Sequence, residues 1–435
     1  MPHRRVALAL PLLLACSGPA APPKPDVAAK ASAKPEPTKP PRKLDTTARK
    51  SPKIDPPAEL QAKDVPPAPT LTSITLTASA TGTLPLPEGI GVVLPHVALQ
   101  LEQGLLVAGQ AYVDYDPKIR ATEIWQFQAF VPTTGEPRSS KGESGSIRAG
   151  MLDGKGGAVL VGSLGVGLAA HVWAGKVGAD GAPAGELALA NPGYSDAFSI
   201  VGGGPKGELA VLAGFADTVA WMQSIDDAGS KRWQPTLEAD GFTQLRALAR
   251  IEGQALLGVG TVAQREGEAW WVRVPADGNA AAQGKVDALE GATPAVDGNR
   301  TMVALIDRGE AGLIGLGLAK RGIVQDHDQV FVVGFDRKGE PRWARAIEQV
   351  RAKQVRGALG WQGAGLFVLE VPVGEGTAIA LLRIAGPDGA EVRVEQIAGS
   401  EGRRSAGFVQ GVESPELLIA DTAGTLGWQR MQVSP

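Results

Sequence analysis

The amino-acid sequence predicts an all-β fold, and three observations support that prediction. From residue 71 onward the apolar runs are four to seven residues long, and they alternate with polar residues or lie between glycine-rich turns. No stretch keeps a helical period over three turns. The same order of runs and turns recurs about every 52 residues, and recurrence at that length is typical of repeat architectures.

The most apolar run of each repeat shows the spacing. Seven such runs end at Gly109, Gly162, Gly214, Gly260, Gly317, Glu370 and Asp421, in steps of 53, 52, 46, 57, 53 and 51 residues. The tetrapeptide Gly-Glu-Pro-Arg occurs at 135–138 and again at 339–342, which is 204 residues or four repeats later. Both copies are therefore predicted to occupy the same corner of the repeated unit.

Each repeat divides into four predicted strands. A first strand such as SIRAGML leads through a turn into the apolar run, and a third strand such as AWWVRV ends in an Asp-Gly turn. Asp-Gly favours a tight hairpin because both residues tolerate positive φ. Four antiparallel strands in about 50 residues describe a propeller blade. Residues 71–435 are therefore predicted to form a seven-bladed β-propeller of four-stranded antiparallel blades, with six or eight blades as the alternatives.

The last repeat ends without a fourth strand. Leu71–Gly82 alternates apolar residues with Thr and Ser, as a half-buried strand does. Residues 71–84 are therefore predicted to pair beside the third strand of the last repeat and to close the ring. The large residues eight positions before the turn glycines are expected to pack between blades: Trp173, Trp221, Trp270, Phe331 and Leu381.

Residues 1–15 are predicted to be a secretion signal, with Arg4 and Arg5 before an apolar stretch too short to span a bilayer. The segment Leu-Leu-Ala-Cys ending at Cys16, the only cysteine, resembles the lipobox of bacterial lipoproteins. That resemblance implies cleavage before Cys16 and lipidation of this residue. Ser17 stands where an Asp would signal retention in the inner membrane, so a lipid-anchored position at the outer membrane is expected, on the periplasmic or the cell-surface side.

Residues 16–70 are predicted to be a disordered tether. Residues 17–70 contain 14 prolines and no aromatic residue, and such a composition buries too little apolar surface to fold. The tether carries +4 and the signal +2, so the total of −3 leaves residues 71–435 at −9. An acidic body argues against nucleic-acid binding. Three histidines outside the signal, without zinc spacing, predict no metal site.

The turns DRKGEPRW and DDAGSKRW carry an Asp, a Gly and a Trp in fixed order. They resemble the β-propeller repeats of bacterial exported lipoproteins, over roughly residues 95–435. Quinoprotein propellers have a similar Trp motif, but it does not repeat regularly here, so no cofactor is expected. The resemblance implies an outer-membrane propeller lipoprotein and supports the architecture more than any function.

The candidate binding site lies in the two longest predicted loops between second and third strands, 110–122 and 319–329. Both are expected on one propeller face, where binding loops are usually carried by a rigid scaffold. The candidate binding residues are Tyr112, Asp114, Tyr115 and Asp116 in the first loop, and Arg321, Asp326, His327 and Asp328 in the second.

The function expected from these features is a monomeric binding or scaffold module for a protein or glycan partner in the cell envelope. The alternative is an exported propeller enzyme, a glycan lyase, hydrolase or dehydrogenase, with its site at the channel mouth. No catalytic residues are assigned. Small residues in the predicted first strands favour the scaffold, whereas several His, Arg, Tyr or carboxylate side chains in one funnel would favour an enzyme.

Overall fold

The structure is a computed structural model. It describes residues 75–113, 123–189, 193–204, 207–235, 237, 241–263, 267–278, 282–286, 300–319, 328–374, 376–421 and 426–434. The described strands lie in a compact unit that spans Pro67–Pro435. Among these residues the helices are single 3-10 turns, Gly167–Ala169, Glu252–Gln254 and Gly309–Ala311, and none has the length or hydrophobicity to cross a bilayer.

The described strands form seven four-stranded blades, which confirms the predicted count. Strand order gives six antiparallel sheets, five with four strands and one with seven. The seven-stranded sheet is two blades joined by one long strand, β5 (Arg138–Leu152). Its first half pairs with the strand before it and its second half with the strand after it. The backbone thus passes from the outer edge of blade 1 to the inner edge of blade 2 without a turn.

The strands of each blade are named A to D from the ring centre outward. Blade 1 contains β2 (Ile90–Leu101), β3 (Gly104–Val113), β4 (Ile124–Pro132) and the first half of β5. Blade 2 contains the second half of β5, then β6 (Ala158–Leu164), β7 (His171–Val177) and β8 (Pro183–Glu186). Blade 3 contains β9 (Ser195–Gly202), β10 (Ala210–Ala216), β11 (Val219–Ile225) and β12 (Lys231–Trp233).

The remaining blades follow the same order. Blade 4 contains β13 (Phe242–Arg250), β14 (Leu256–Ala263), β15 (Gly267–Val274) and β16 (Ala282–Lys285). Blade 5 contains β17 (Arg300–Asp307), β18 (Leu313–Ala319), β19 (Asp328–Phe335) and β20 (Pro341–Ala352). Blade 6 contains β21 (Gln354–Trp361), β22 (Ala364–Val373), β23 (Gly376–Ala385) and β24 (Glu391–Gln396). Blade 7 contains β25 (Arg404–Phe408), β26 (Glu416–Ala420), β27 (Leu426–Ser434) and β1 (Thr75–Leu84).

The first described strand closes the ring, as the sequence predicts. Strand β1 pairs with β27 from Thr75 opposite Ser434 to Leu84 opposite Leu426. Leu84 is fully buried in the apolar cluster between blades 7 and 1. The segment just after β25 then meets β2 through a parallel bridge between Leu99 and Gln410. The two ends of the propeller are therefore joined within one blade and across the neighbouring blade interface.

The hydrophobic core is divided into seven clusters, one between each pair of neighbouring blades. Successive side chains of a strand point to opposite faces, so one strand contributes to two clusters. Val159 and Val161 pack toward blade 3, whereas Leu160 packs toward blade 1. Burial on both faces explains why the B strands are continuous apolar runs in the sequence.

The aromatic residues expected between blades are found there. Five large residues of the C strands are buried in five different clusters: Trp173, Trp221, Trp270, Phe331 and Leu381. Trp233 and Trp343 lie partly buried against two of the clusters. These aromatic residues therefore serve packing between blades.

Hydroxyl groups also link neighbouring blades. Ser195, Thr243 and Ser400 lie at or just before the A strands of blades 3, 4 and 7. Their side-chain oxygens accept hydrogen bonds from backbone N–H groups near the start of the preceding blade's C strand, at 2.5–2.9 Å. The Ser400 hydroxyl also donates to the carbonyl of Ile397 at 2.6 Å, so its hydrogen bonds are used structurally.

Each inner strand carries a one-residue bulge at the equivalent place. The bulged residues are His96, Arg148, Phe198, Arg246, Val303, Arg356 and Ala406. In blades 1 to 5 a repeat glycine pairs with the residue before the bulge: Gly109, Gly162, Gly214, Gly260 and Gly317. A Cβ on the first four of these glycines would lie 1.8–2.2 Å from a carbonyl oxygen of the A strand. The repeated glycine is thus the residue that lets the B strand approach the bulge.

The sequence alignment of the last two repeats is out of register. Leu369 and Ile419 pair with the residues before the bulges of blades 6 and 7, so the aligned positions Glu370 and Asp421 lie one and two residues too late.

The Gly-Glu-Pro-Arg prediction is confirmed. Gly135 and Gly339 both have positive φ, 110° and 80°, in the turns between the C and D strands of blades 1 and 5.

We expect Gly162→Ala to lower the free energy of unfolding by about 1–3 kcal/mol, because its Cβ would overlap the carbonyl oxygen of Ser146. Gly202→Ala is the matched control, since no atom lies within 4 Å of its Cβ position. Chemical denaturation of both variants measures the difference. Equal stability of the two variants would contradict the proposed role of the repeat glycine.

Candidate functional site

The inner strands enclose a cavity of about 330 Å³ at the centre of the ring. It is lined mainly by the bulged residues and the one or two residues after each, so it extends toward the carboxyl-terminal ends of the A strands. The charged or titratable side chains in its lining are His96, Arg148 and Arg356. The aromatic ring of Phe198 also lines the cavity. The small residues expected there are present as well, among them Ala149, Ala247, Gly357 and Ala358.

His96 is held neutral by its surroundings. Burial, and then the positive charges of Arg356 and Arg148, lower the pKa of His96 to about 3, and the nearby Gln110 side chain opposes this shift. The Arg356 guanidinium approaches His96 Nδ1 at 3.5 Å. Because arginine can only donate, Nδ1 is the acceptor and the ring proton lies on Nε2. Nε2 is shielded from solvent and has no hydrogen-bond partner within the described residues.

A buried carboxylate holds Arg356 in place. Glu370 on β22 is almost fully buried, and its Oε1 accepts a hydrogen bond from Arg356 Nε at 2.7 Å. Its second oxygen accepts from Arg404. Two arginines thus share one carboxylate, and the local charge is positive.

A second ion pair lies between blades 2 and 3. Arg148 Nε approaches Asp196 at 3.4 Å. Burial raises the pKa of the Asp196 carboxyl, although the charge of Arg148 acts in the opposite direction. Arg246 stacks over the ring of Phe198 at 4.0 Å, and burial together with the nearby charge of Arg148 lowers its pKa to about 10.

One propeller face carries the starts of the A strands and the connections between B and C strands; it is called the loop face below. On it, a cavity of about 170 Å³ lies between blades 2 and 3 and contacts Val166, Tyr194, Asp196 and Phe215. Phe215 packs edge-on against Tyr194, with ring centroids 5.2 Å apart, and lies 6.0 Å from Phe242. The aromatic rings give this cavity a rigid apolar wall.

The loop face also carries the exposed large apolar side chains of the described residues. Leu168 is 88% exposed, Val166 52% and Val219 42%. All three lie at B–C connections of blades 2 and 3. The segment around Tyr194 links the B–C connections of blades 2 and 3. Ser195 N–H donates to the Ala170 carbonyl at 3.0 Å, and Asp217 N–H donates to the Tyr194 carbonyl at 2.5 Å. The three side chains therefore surround one region of the face.

Two of the predicted binding residues are described. Tyr112 lies near the end of β3 in blade 1, and its hydroxyl accepts a hydrogen bond from Gln110 Nε2. Asp328 begins β19 in blade 5. Two blades separate them along the shorter way round the ring, so the structure does not bring them together.

The remaining predicted residues lie outside the described part of the chain. They are Cys16, Asp114, Tyr115, Asp116, Arg321, Asp326 and His327. The strand ends that flank both long loops, Val113 with Ile124 and Ala319 with Asp328, lie on the loop face. The site in these loops stays a prediction.

The charged channel residues were missed in the sequence. The small residues expected from the first strands do line the channel, but His96, Arg148 and Arg356 lie beside them. A signal was present: an apolar residue, an arginine and a small residue recur at 147–149, 245–247 and 355–357. In a regular strand the side chains of the arginine and its neighbours point alternately to opposite faces of the sheet, whereas a bulge changes the direction of the side chain that it carries. The bulge was not visible in the pattern.

No cluster of three or more His, Cys, Asp or Glu side chains suited to a metal ion occurs among the residues that the structure describes. The ionisable groups in and around the channel include the Arg148–Asp196 pair and the carboxylate of Glu370, which Arg356 and Arg404 share, with an excess of arginine. Such a lining attracts anions rather than cations.

Comparison with known proteins gives only distant likenesses. No family model and no curated protein matches the sequence. A protein of unknown function from Dyadobacter fermentans is 10% identical and has a TM-score of 0.46, covering 82% of this chain and 99% of its own.

Two further solved structures are similar to the same extent. Chaetomium thermophilum Sqt1, bound to the N-terminus of ribosomal protein L10, is 12% identical with a TM-score of 0.46, covering 82% of this chain and 98% of its own. The β-propeller domain of the Trilobed protease from Pyrococcus furiosus is 10% identical with a TM-score of 0.43, covering 78% of this chain and 97% of its own. The class of this protein, a seven-bladed β-propeller, is established by its own strand pairing.

The low pKa of His96 predicts a pH-dependent stability. The folded state disfavours the protonated ring, so this contribution is complete above the unfolded pKa near 6.5 and is lost as the pH falls toward 3. We expect His96→Gln to remove a slope of up to about 1.4 kcal/mol per pH unit in that window. Denaturation between about pH 7 and pH 4, which covers most of the interval between the unfolded and the folded pKa of His96, measures it. His171→Gln, outside the channel, should keep the wild-type slope; equal slopes in all three proteins would contradict the account.

Proposed function

We propose that this chain is a lipid-anchored β-propeller of the bacterial cell envelope that binds a protein partner through its loop face. The observation that carries the proposal is the exposed apolar group of Val166, Leu168 and Val219 beside the cavity of Tyr194 and Phe215. Single exposed apolar side chains are common on soluble proteins, but neighbouring ones rimmed by polar residues mark interaction sites.

The chemistry of this region fits a protein better than a glycan. A protein side chain entering the cavity would lie against Tyr194 and Val166, with the Arg148–Asp196 pair available for a polar contact. Glycan recognition usually needs the open face of an aromatic ring, and Phe215 is buried within the aromatic cluster. A glycan partner is therefore the second outcome of the experiment below.

The proposed anchor rests on the sequence around Cys16 and on the proline-rich tether. A tether of 54 residues gives the propeller freedom to turn its loop face toward a partner near the membrane. Two or more acyl chains on Cys16 would give stable attachment without a spanning helix. The outer membrane is the proposed location because Ser17 follows the cysteine.

Cys16→Ser is expected to move the chain from the membrane fraction to the soluble fraction, since it removes the acylated sulfur. Ser17→Ala is the matched control and should stay membrane-bound. Fractionation of producing cells and mass spectrometry of the amino-terminal peptide measure both. Membrane attachment of the Cys16→Ser chain would refute the lipoprotein proposal without affecting the propeller.

Partner binding can be tested with a photo-crosslinking amino acid placed at Leu168 of the full chain in cells. We expect a defined crosslinked protein, and at least a tenfold lower yield with Val219→Ser, because an apolar interface loses about 1–3 kcal/mol when an anchor is removed. The matched control is the same probe at Glu310, an exposed side chain on the opposite face.

Equal crosslinking from both faces would contradict the proposed interface. Turnover of a glycan or small molecule by the purified chain, with no crosslinked protein, would favour the exported enzyme instead. One observation favours this second candidate function: Asp196 is a buried carboxyl group with a raised pKa, and it lies beside a cavity. Loss of that turnover in Asp196→Asn would assign it.

A further inference from the structure

The central cavity brings together more positive than negative charge. Arg148 and Arg356 lie in its lining, and among the described residues no carboxylate does. Arg246 stacks on Phe198, which is itself part of the lining. The bulges of blades 2 and 6 thus place two guanidinium groups in the lining, and the bulge of blade 4 places a third against one of the lining side chains.

The neighbouring carboxylates do not balance these groups. Asp196 is paired with Arg148, and Glu370 is shared by Arg356 and Arg404. Four arginines therefore face two carboxylates, an excess of two positive charges. The Nε atom of Arg246 and the Nε2 atom of His96 are buried without a hydrogen-bond partner within the described residues, whereas Arg148 Nε has the Asp196 carboxylate at 3.4 Å.

We propose that the central cavity is a binding site for a small organic or inorganic dianion, with Arg148, Arg246 and Arg356 supplying the charge. Buried donors that lack acceptors are costly, and like charges inside a low-dielectric cavity repel one another. A bound dianion neutralises the excess charge and supplies acceptors for the free N–H groups. Carboxylate and phosphate groups match the planar fork of arginine.

The dimensions select a small ligand. A cavity of about 330 Å³ lies at the lower end of small-molecule sites. The remaining lining combines the polar residues Ser199, Gln354 and Gln410 with apolar ones, and the apolar part suits a short carbon chain between charged ends. The apolar residues include Val97, Ile200, Leu248 and Leu305. A short dicarboxylate and a phosphate share this chemistry, and the experiment distinguishes them.

The test is titration of the purified full chain with succinate and, separately, with inorganic phosphate, by calorimetry and by the shift in melting temperature. We expect saturable one-to-one binding of at least one anion and no binding of neutral succinamide. Succinate alone would identify a carboxylate site and phosphate alone a phosphate site. No saturable binding, or a shift that sodium chloride reproduces at equal ionic strength, would overturn the proposal.

Arg246→Met is the decisive variant, because it removes one charge without leaving a carboxylate unpaired. We expect it to raise the melting temperature in anion-free buffer and to weaken anion binding about tenfold, the effect of one charge-assisted hydrogen bond. Arg345→Met is the matched control, since Arg345 also stacks on an aromatic ring, that of Trp343, but lies in an outer strand. An equal loss of anion affinity in the Arg246→Met and Arg345→Met variants would show that the anion does not bind in the channel.

The inference does not depend on the proposed protein partner. Arg246→Met should leave crosslinking from Leu168 unchanged, and Val219→Ser should leave anion binding unchanged. Failure of either experiment therefore leaves the other interpretable.

Discussion

The pairing of β1 with β27 is the contact on which the rest of the structure depends. A propeller blade is stable only when both its faces are covered, because its strands are apolar on both sides. Without β1, the last blade would expose the edge of β27, and Leu84 would be missing from the cluster between blades 7 and 1. The closing strand thus joins the ends of the chain and completes the seventh interface.

Ring closure in turn determines the geometry of the channel. Seven A strands run side by side in the same direction, so their bulges form one level around the axis. The glycines opposite four of these bulges, in blades 1 to 4, allow the backbones to approach. Residues that are 50 or more positions apart in sequence, such as Arg148 and Arg246, consequently become electrostatic neighbours.

Two separate surfaces follow from this arrangement. The loop face is made from connections of variable length, and it exposes Leu168 and Val219 to solvent. The central cavity is made from the most regular part of the repeat, yet its side chains are the least repetitive. Ala406 and Val303 occupy bulges where other blades have arginine. Variation at a repeated position is how a regular scaffold acquires a specific lining.

The architecture could be predicted because it depends on local patterns. The spacing of apolar runs, the Asp-Gly turns and the missing fourth strand of the last repeat indicated seven blades and a closing strand. The interior positions of Trp173 and Phe331 followed from their constant distance to a turn glycine. The weakest part of the alignment was in blades 6 and 7, where Leu369 and Ile419 replace the glycine that marks the other repeats.

By itself the sequence determined the all-β repeat, the number of units and the likeness of the two Gly-Glu-Pro-Arg corners, since each is encoded within a few neighbouring residues. Only the tertiary structure decided which side chains meet at the axis. A one-residue bulge leaves the apolar pattern almost unchanged but turns the side chain that it carries, and the charge of His96, Arg148, Arg246 and Arg356 acquires meaning only when the ring brings them together.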